Sequence, residues 1–144
     1  MKKLKYTQGK YILVSKKTLA KEIYDFEILC PDIVAVAAPG QFVNVIADGY
    51  TLRRPISICG IDKEKGTIRI VFEVRGKGTK QIAKINEGEM IDILGPLGKG
   101  FPMDDYKTAI TVGGGIGTPP MNEIAQHFGE NCRSISGFSN ADAV

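Results

Sequence analysis

Tryptophan is missing from this 144-residue chain, histidine occurs once, and cysteine occurs three times at widely separated positions. Each scarcity removes a class of function. Cys30, Cys59 and Cys132 form no CxxC pair and have no adjacent histidine. The chain alone therefore supplies neither a zinc site nor the ligands of an iron–sulfur cluster. Scattered thiols in odd number read instead as buried, reduced cysteines of a cytoplasmic protein. His127, four residues after Glu123 in a helical stretch, reads as a surface residue. HExxH, GxSxG and the Walker pattern GxxxxGKS/T are absent, and no pair of carboxylates stands out as an acid/base couple. Whatever chemistry occurs is then brought by a cofactor. Apolar runs such as Ile33–Pro39 fall far short of the ~18 residues of a membrane span. The start, MKKLKYTQGK, is basic but lacks the apolar core of a secretory signal. With 43% hydrophobic and 24% charged residues and a net charge of +3, disorder is excluded.

Glycine and proline, by contrast, are plentiful, at 17 and 7. They punctuate six short segments rich in Val, Ile, Tyr or Phe: Tyr11–Ser15, Tyr24–Leu29, Gln41–Ile46, Pro55–Ile61, Thr67–Val74 and Met90–Leu94. Strands at this spacing predict a closed antiparallel barrel of Greek-key type. One helix, Thr79–Ile85, interrupts them, with Ile82 and Ile85 three apart. Residues 1–21 hold seven lysines and no acid, but these alternate with apolar residues from Lys10 to Val14, which fits a solvated outer strand face better than a nucleic-acid arm. After the Gly/Pro-rich Gly95–Phe101 (GPLGKGF) the pattern changes. Thr108–Val112 is a continuous apolar run suited to a strand buried on both faces. A glycine-rich turn, a helical stretch (Met121–Phe128) and a strand (Ser134–Phe138) follow. This is the opening of an α/β domain, and one such unit cannot cover both faces of a parallel sheet. The expected organisation is a barrel over residues 1–104 and an incomplete α/β domain over 105–144.

Three constellations could carry chemistry. Gly113–Gly114–Gly115–Ile116–Gly117–Thr118–Pro119–Pro120 follows a strand and opens a helix, a combination that favours a pyrophosphate. It reads GxGxxP rather than GxGxxG, and a tight turn without a ligand is the alternative. Arg53–Arg54–Pro55–Ile56–Ser57–Ile58 sets two guanidinium groups before a strand, costly to bury without an anion. An ordinary exposed strand end reads the same way. Gly76–Lys77–Gly78–Thr79 is either an anion-ready helix start or a simple N-cap.

In this order, the RxxS strand, the Gly-Thr helix start and GGGIGxPP resemble the ferredoxin–NADP reductase superfamily, in which a flavin-binding barrel precedes a nicotinamide-binding domain. More narrowly, Arg53–Ile58, Gly95–Phe101 and Gly113–Pro120 are similar to the family of electron-transfer subunits of type B dihydroorotate dehydrogenases. The resemblance implies a mainly β fold with an α/β end: a six-stranded antiparallel Greek-key FAD-binding barrel followed by an incomplete nicotinamide-binding domain. It implies that Arg54 contacts the FAD phosphates, that Pro55, Ile56 and Ser57 run along the isoalloxazine, and that Ser57 bonds near its reactive nitrogen. By the same resemblance Val71, Phe72 and Glu73 lie beside the cofactor, and Gly78 and Thr79 hold its pyrophosphate. Gly113, Gly114, Gly115, Gly117 and Thr118 face the nicotinamide side. The sequence departs from the superfamily at Ile56, where an aromatic is common, and at Glu73, where many relatives carry Arg, with Arg75 as a candidate substitute. Relatives continue through the nicotinamide domain to a four-cysteine [2Fe–2S] segment whose ligands are absent here, so the chain reads as a truncated product or fragment.

The implied activity is electron transfer between NADH/NAD and a catalytic flavoprotein partner that oxidises dihydroorotate in pyrimidine biosynthesis, in the cytoplasm, with no nucleic acid or membrane as partner. The small subunit of a sulfide dehydrogenase or ferredoxin-dependent transhydrogenase complex is a nearby alternative, and an oligonucleotide-binding barrel is one of another class. An exposed parallel edge would also suit pairing with a second copy as a homodimer.

Overall fold

A computed structural model describes residues 6–143, so Lys2, Lys3 and Lys5 of the basic run lie outside the described residues. Six strands, β1 (Thr7–Ala20), β2 (Ile23–Leu29), β3 (Phe42–Ile46), β4 (Arg54–Asp62), β5 (Thr67–Glu73) and β6 (Met90–Leu97), close into an antiparallel barrel ordered β1-β2-β5-β4-β3-β6. The expected Greek-key barrel is therefore present. Inward residues alternate along every strand, and Leu13, Phe26, Ile28, Val43, Val45, Ile58, Ile68, Ile70, Ile91 and Ile93 are completely buried. Each such side chain contributes about 1.5–3 kcal/mol of hydrophobic stabilisation.

Closure rests on β1, far longer than the expected Tyr11–Ser15. Its first half pairs with β6, from Thr7 opposite Gly95 to Ile12 opposite Met90, and its second half pairs with β2. A bulge between Leu13 and Ser15 inserts one residue and reverses which side chains face the core. Lys16 consequently sits opposite the buried Phe26. The expectation of a solvated lysine face holds for Lys10 and Lys17, which are exposed, and fails for Lys16, which the bulge turns inward.

Two short helices plug the barrel. The turn α1 (Pro31–Val34) overlaps the start of the apolar run Ile33–Pro39, begins on Pro31, and buries Ile33 and Val34. Helix α2 (Lys77–Ile82) begins two residues before the expected Thr79 and ends at Ile82, which is fully buried, while Ala83 and Ile85 pack on the core from just beyond it. Beyond the barrel, β7 (Ala109–Gly114) and β8 (Cys132–Gly137) pair in parallel, connected through helix α3 (Asn122–Phe128). The expectation that this first strand is buried on both faces does not hold. Thr111 is buried and donates to Ser134 Oγ at 2.9 Å, whereas Ile110 and Val112 are 73% and 68% exposed. One helix can cover only one face of the pair. Helix α3 is tied to the barrel by Glu123 Oε1, which accepts the Ile61 N–H at 2.9 Å. No helix among the described residues is long and apolar enough to cross a membrane.

Candidate functional site

Two adjacent arginines at the start of β4 meet opposite fates. Arg53 is consumed structurally: Nη2 donates to Asp92 Oδ1 at 2.7 Å and Nη1 to the Asn44 carbonyl at 3.1 Å, tying β3, β4 and β6 together. Arg54 finds no carboxylate among the described residues. Its hydrogen bonds run from Nη1 to the Leu52 and Arg53 carbonyls, at 3.2 and 3.3 Å, leaving most of the guanidinium's donors unused.

The Arg54 guanidinium instead lies on the first turn of α2. A Cβ placed on Gly78 would stand 2.6 Å from Arg54 Nε and 2.9 Å from Nη2. Only glycine permits that approach. The first intrahelical bond of α2 is Lys80 N–H to the Gly76 carbonyl, so the N–H groups of Lys77, Gly78 and Thr79 have no helical acceptor. The Thr79 hydroxyl is occupied within the turn, donating to the Gly76 carbonyl and accepting from the N–H groups of Arg75 and Gly76 at 2.9 and 3.1 Å. It therefore shapes the turn rather than reaching outward. A cation without a counter-ion and a set of free amides thus converge on one spot, and the group that satisfies both is an anion.

Next to this spot a 240 Å³ pocket is lined by Pro55, Ile56, Ser57, Val71, Phe72, Glu73, Arg75, Thr79 and Ile116. The residues singled out on β4, on β5 and at the start of α2 are therefore gathered in one place. Ser57 is exposed, while Ile56 and Phe72 form an apolar floor. Phe72 in turn is braced by Tyr24, stacked at 5.9 Å, and by Phe26, edge-on at 5.0 Å. Of the glycine-rich turn, Ile116 alone lines the pocket; Gly113, Gly114, Gly115, Gly117 and Thr118 do not. Gly113 is needed there because an added Cβ would meet Thr118 Cα at 2.7 Å. The Thr118 hydroxyl is buried with no hydrogen-bond partner. Glu73 does not stand as a bare carboxylate: Arg75 Nε and Nη2 both donate to its Oε2 at 2.8 Å.

Ile116 is the pocket residue absent from the sequence-derived candidates, and Arg75 entered them only as a substitute for the Arg of relatives at the Glu73 position. Ile116 carried a signal, being the one bulky side chain among four glycines. Arg75 carried one as the nearest cation to Glu73.

A larger cleft of 770 Å³ opens between the β4–β5 hairpin and α3. Its charges largely neutralise one another: Arg69 forms a two-pronged pair with Asp25, Lys65 faces Glu27 and Asp62, and Glu123 is spent on Ile61. The hydrogen bond it donates to Asp25 raises the Arg69 guanidinium above its ordinary value. Burial pushes the Cys30 and Cys59 thiols up to about 12, so neither is a nucleophile at neutral pH. Among the described residues no three His, Cys, Asp or Glu side chains gather as metal ligands. Phe26 is completely buried inside the barrel, where no nucleobase could stack on it.

An antiparallel barrel whose rim sets an arginine without a carboxylate partner against a helix mouth, beside a pocket with an apolar floor, defines a dinucleotide-binding flavoprotein module. Residues 10–101 match the model of the oxidoreductase FAD-binding domain, and the chain belongs to that family. Curated relatives include the dihydroorotate dehydrogenase B (NAD(+)) electron transfer subunits of Bacillus mycoides (strain KBAB4), at 42% identity, and Bacillus cereus (strain G9842), at 43%. Each match covers 92% of this chain and 55% of the relative, so the chain spans about half the length of these proteins. Among solved structures, an NADH-dependent reduced ferredoxin-NADP oxidoreductase described for flavin-based electron bifurcation superposes with a TM-score of 0.84 at 31% identity, over 92% of this chain and 50% of that one. The ferredoxin reductase in carbazole 1,9a-dioxygenase shares the fold at 17% identity, with a TM-score of 0.82 over 96% of this chain and 44% of that one.

Proposed function

We propose that the chain holds FAD for electron transfer between NADH and a catalytic flavoprotein that oxidises dihydroorotate, as the flavin-bearing part of an electron-transfer subunit acting in the cytoplasm. The observation that carries this reading is the Arg54 guanidinium resting on Gly78 at the mouth of α2, with no acid to neutralise it. In this reading Arg54 and the free amides of Gly78 and Thr79 grip the pyrophosphate. Pro55, Ile56 and Ser57 lie along one edge of the ring, and Val71, Phe72 and Glu73 form the neighbouring wall. In this reading the exposed Ser57 hydroxyl bonds at the ring's reactive edge. Arg75 balances Glu73, so the carboxylate does not repel the phosphates across the rim.

FAD supplies the conversion of a two-electron hydride into single-electron transfers. The protein's part is to position the ring edge and keep water from its apolar face. Residues 105–144 are read as the opening of a nicotinamide domain, in which Gly113, Gly114, Gly115, Gly117 and Thr118 form the close-approach turn. The remainder of that domain and a [2Fe–2S] segment belong, in this reading, to the part of the relatives that the chain does not span.

Titration of the purified chain with FAD, followed by absorbance and flavin fluorescence, tests the proposal. Arg54→Ala is expected to weaken FAD binding by more than Ser57→Ala. Equal occupancy of both variants, or a wild-type chain that takes up no flavin, refutes the assignment.

A further inference from the structure

The short helix that presents Gly78 and Thr79 is held at its other end by the core packing of Ala83 and Ile85 and by one charged side chain. We propose that Lys16 is a positioning residue for the dinucleotide's phosphates, acting through α2; this rests on the FAD reading above.

The Lys16 ammonium donates to the Ala83 carbonyl at 2.7 Å and to the Ile85 carbonyl at 3.0 Å, both just past the last residue of α2. Carbonyls at a helix C-terminus have no intrahelical donor and carry the negative end of the helix dipole, so a cation there is doubly favoured. The same ammonium lies 5.6 Å from the Tyr24 ring centroid and 5.9 Å from that of Phe26, which fixes it from the core side. Main-chain bonds reinforce the attachment: Lys16 N–H donates to Glu87 Oε1, Leu13 N–H to the Glu89 carbonyl, and Gly88 N–H to the Leu13 carbonyl. The β1 bulge is what turns Lys16 toward α2.

At six residues α2 is too short to hold its own direction. Ile82, fully buried, is its pivot, and Lys16 fixes the trailing end. Loss of the ammonium frees the helix to rock about Ile82 and carries the amides of Gly78 and Thr79 away from Arg54. The pyrophosphate grip suffers, while the pocket floor of Ile56 and Phe72, on other elements, stays in place. Lys16 therefore acts on the part of the ligand that distinguishes a dinucleotide from a bare flavin.

The test compares wild type, Lys16→Met and Lys16→Arg for binding of FAD and of riboflavin, which lacks the pyrophosphate. Lys16→Met is expected to weaken FAD by ~10-fold, the scale of a lost charge-assisted hydrogen bond, and riboflavin by less than about twofold. Lys16→Arg, which keeps a cation and its donors, restores most of the FAD affinity. Should Lys16→Met lose its native circular dichroism, Lys16→Gln, with one neutral donor, takes its place and is expected to show the same FAD-selective loss. Equal weakening of both flavins, or undiminished FAD binding by a wild-type-competent Lys16→Met chain, overturns the inference alone. A wild-type chain that binds no FAD overturns the FAD reading with it.

Discussion

Replacing Gly78 by alanine separates folding from binding, because the two respond with opposite sign. Alanine is favoured over glycine in a helix by about 1 kcal/mol, and Gly78 lies within α2. The added methyl meets no backbone; its close neighbours are Arg54 Nε, Nη2 and Cζ, at 2.6, 2.9 and 3.0 Å. These atoms belong to the far end of a flexible side chain, which can swing aside at little cost. Gly78→Ala is thus expected to leave stability within about 1 kcal/mol of wild type, or slightly above it. The displaced guanidinium, however, no longer reaches the anion that α2 presents. Hydrogen bonds to charged groups are worth about 1.5–3 kcal/mol, so FAD should bind roughly 10- to 150-fold more weakly. Urea denaturation of the flavin-free chain gives the first quantity, and flavin fluorescence titration the second. Because both substitutions remove the same contact, the double variant with Arg54→Ala should bind FAD no more weakly than the worse single variant by over about 0.5 kcal/mol. A Gly78→Ala chain with wild-type FAD affinity, or strict additivity in the double variant, refutes this account of the phosphate grip.

The neighbouring arginine provides the contrasting case. Arg53→Ala leaves Asp92 without its partner at a site only 25% exposed, so unfolding in urea should become easier by about 1–3 kcal/mol, with FAD affinity changed less than about threefold. A large affinity loss with unchanged stability would mean that the roles of the two arginines are reversed. Of the three thiols, Cys132 alone is half-exposed, and iodoacetamide should label it in the native chain while Cys30 and Cys59 react only after denaturation. Rapid native labelling of three sites would contradict the burial. The two buried thiols also predict an alkaline limit. Their unfolded value is 9.0 and their folded value about 12, so the unfolded state sheds protons first. The stability they contribute is intact below 9.0 and falls as the pH rises toward 12, by up to about 1.4 kcal/mol per pH unit for each thiol. A urea midpoint that stays level across that window would contradict it.

The barrel was legible because its strands are half-buried and alternate, so Ile56 and Ile58, Ile68 and Ile70, or Ile91 and Ile93 mark one face by period alone. What breaks the period was not. The bulge in β1 is a matter of pairing with β2, and nothing in the run Leu13–Lys17 announces it. Helix α1 escaped because four residues cannot display a 3.6-residue repeat. For the site, residue types sufficed to mark Arg54, Ser57, Gly78 and Thr79 as candidates, but not to bring them together. That two adjacent arginines divide, one bound to Asp92 and the other left without an acid, depends on where β6 and α2 arrive. The glycine turn is legible as a close-approach motif by its glycines, whereas the group that lines the pocket is the side chain between them, Ile116.

The way β1 seals the barrel sets an order of events during synthesis. The second half of β1 finds its partner as soon as residue 29 follows, yet its first half must wait for residues 90–95. Until then an amide row carrying Ile12 is open to any passing strand. Such distant closure slows folding and lengthens the interval in which nascent chains can associate wrongly. Lys10, which repels an identical neighbour and faces Asp92 once the barrel closes, stands along the edge that is left open longest.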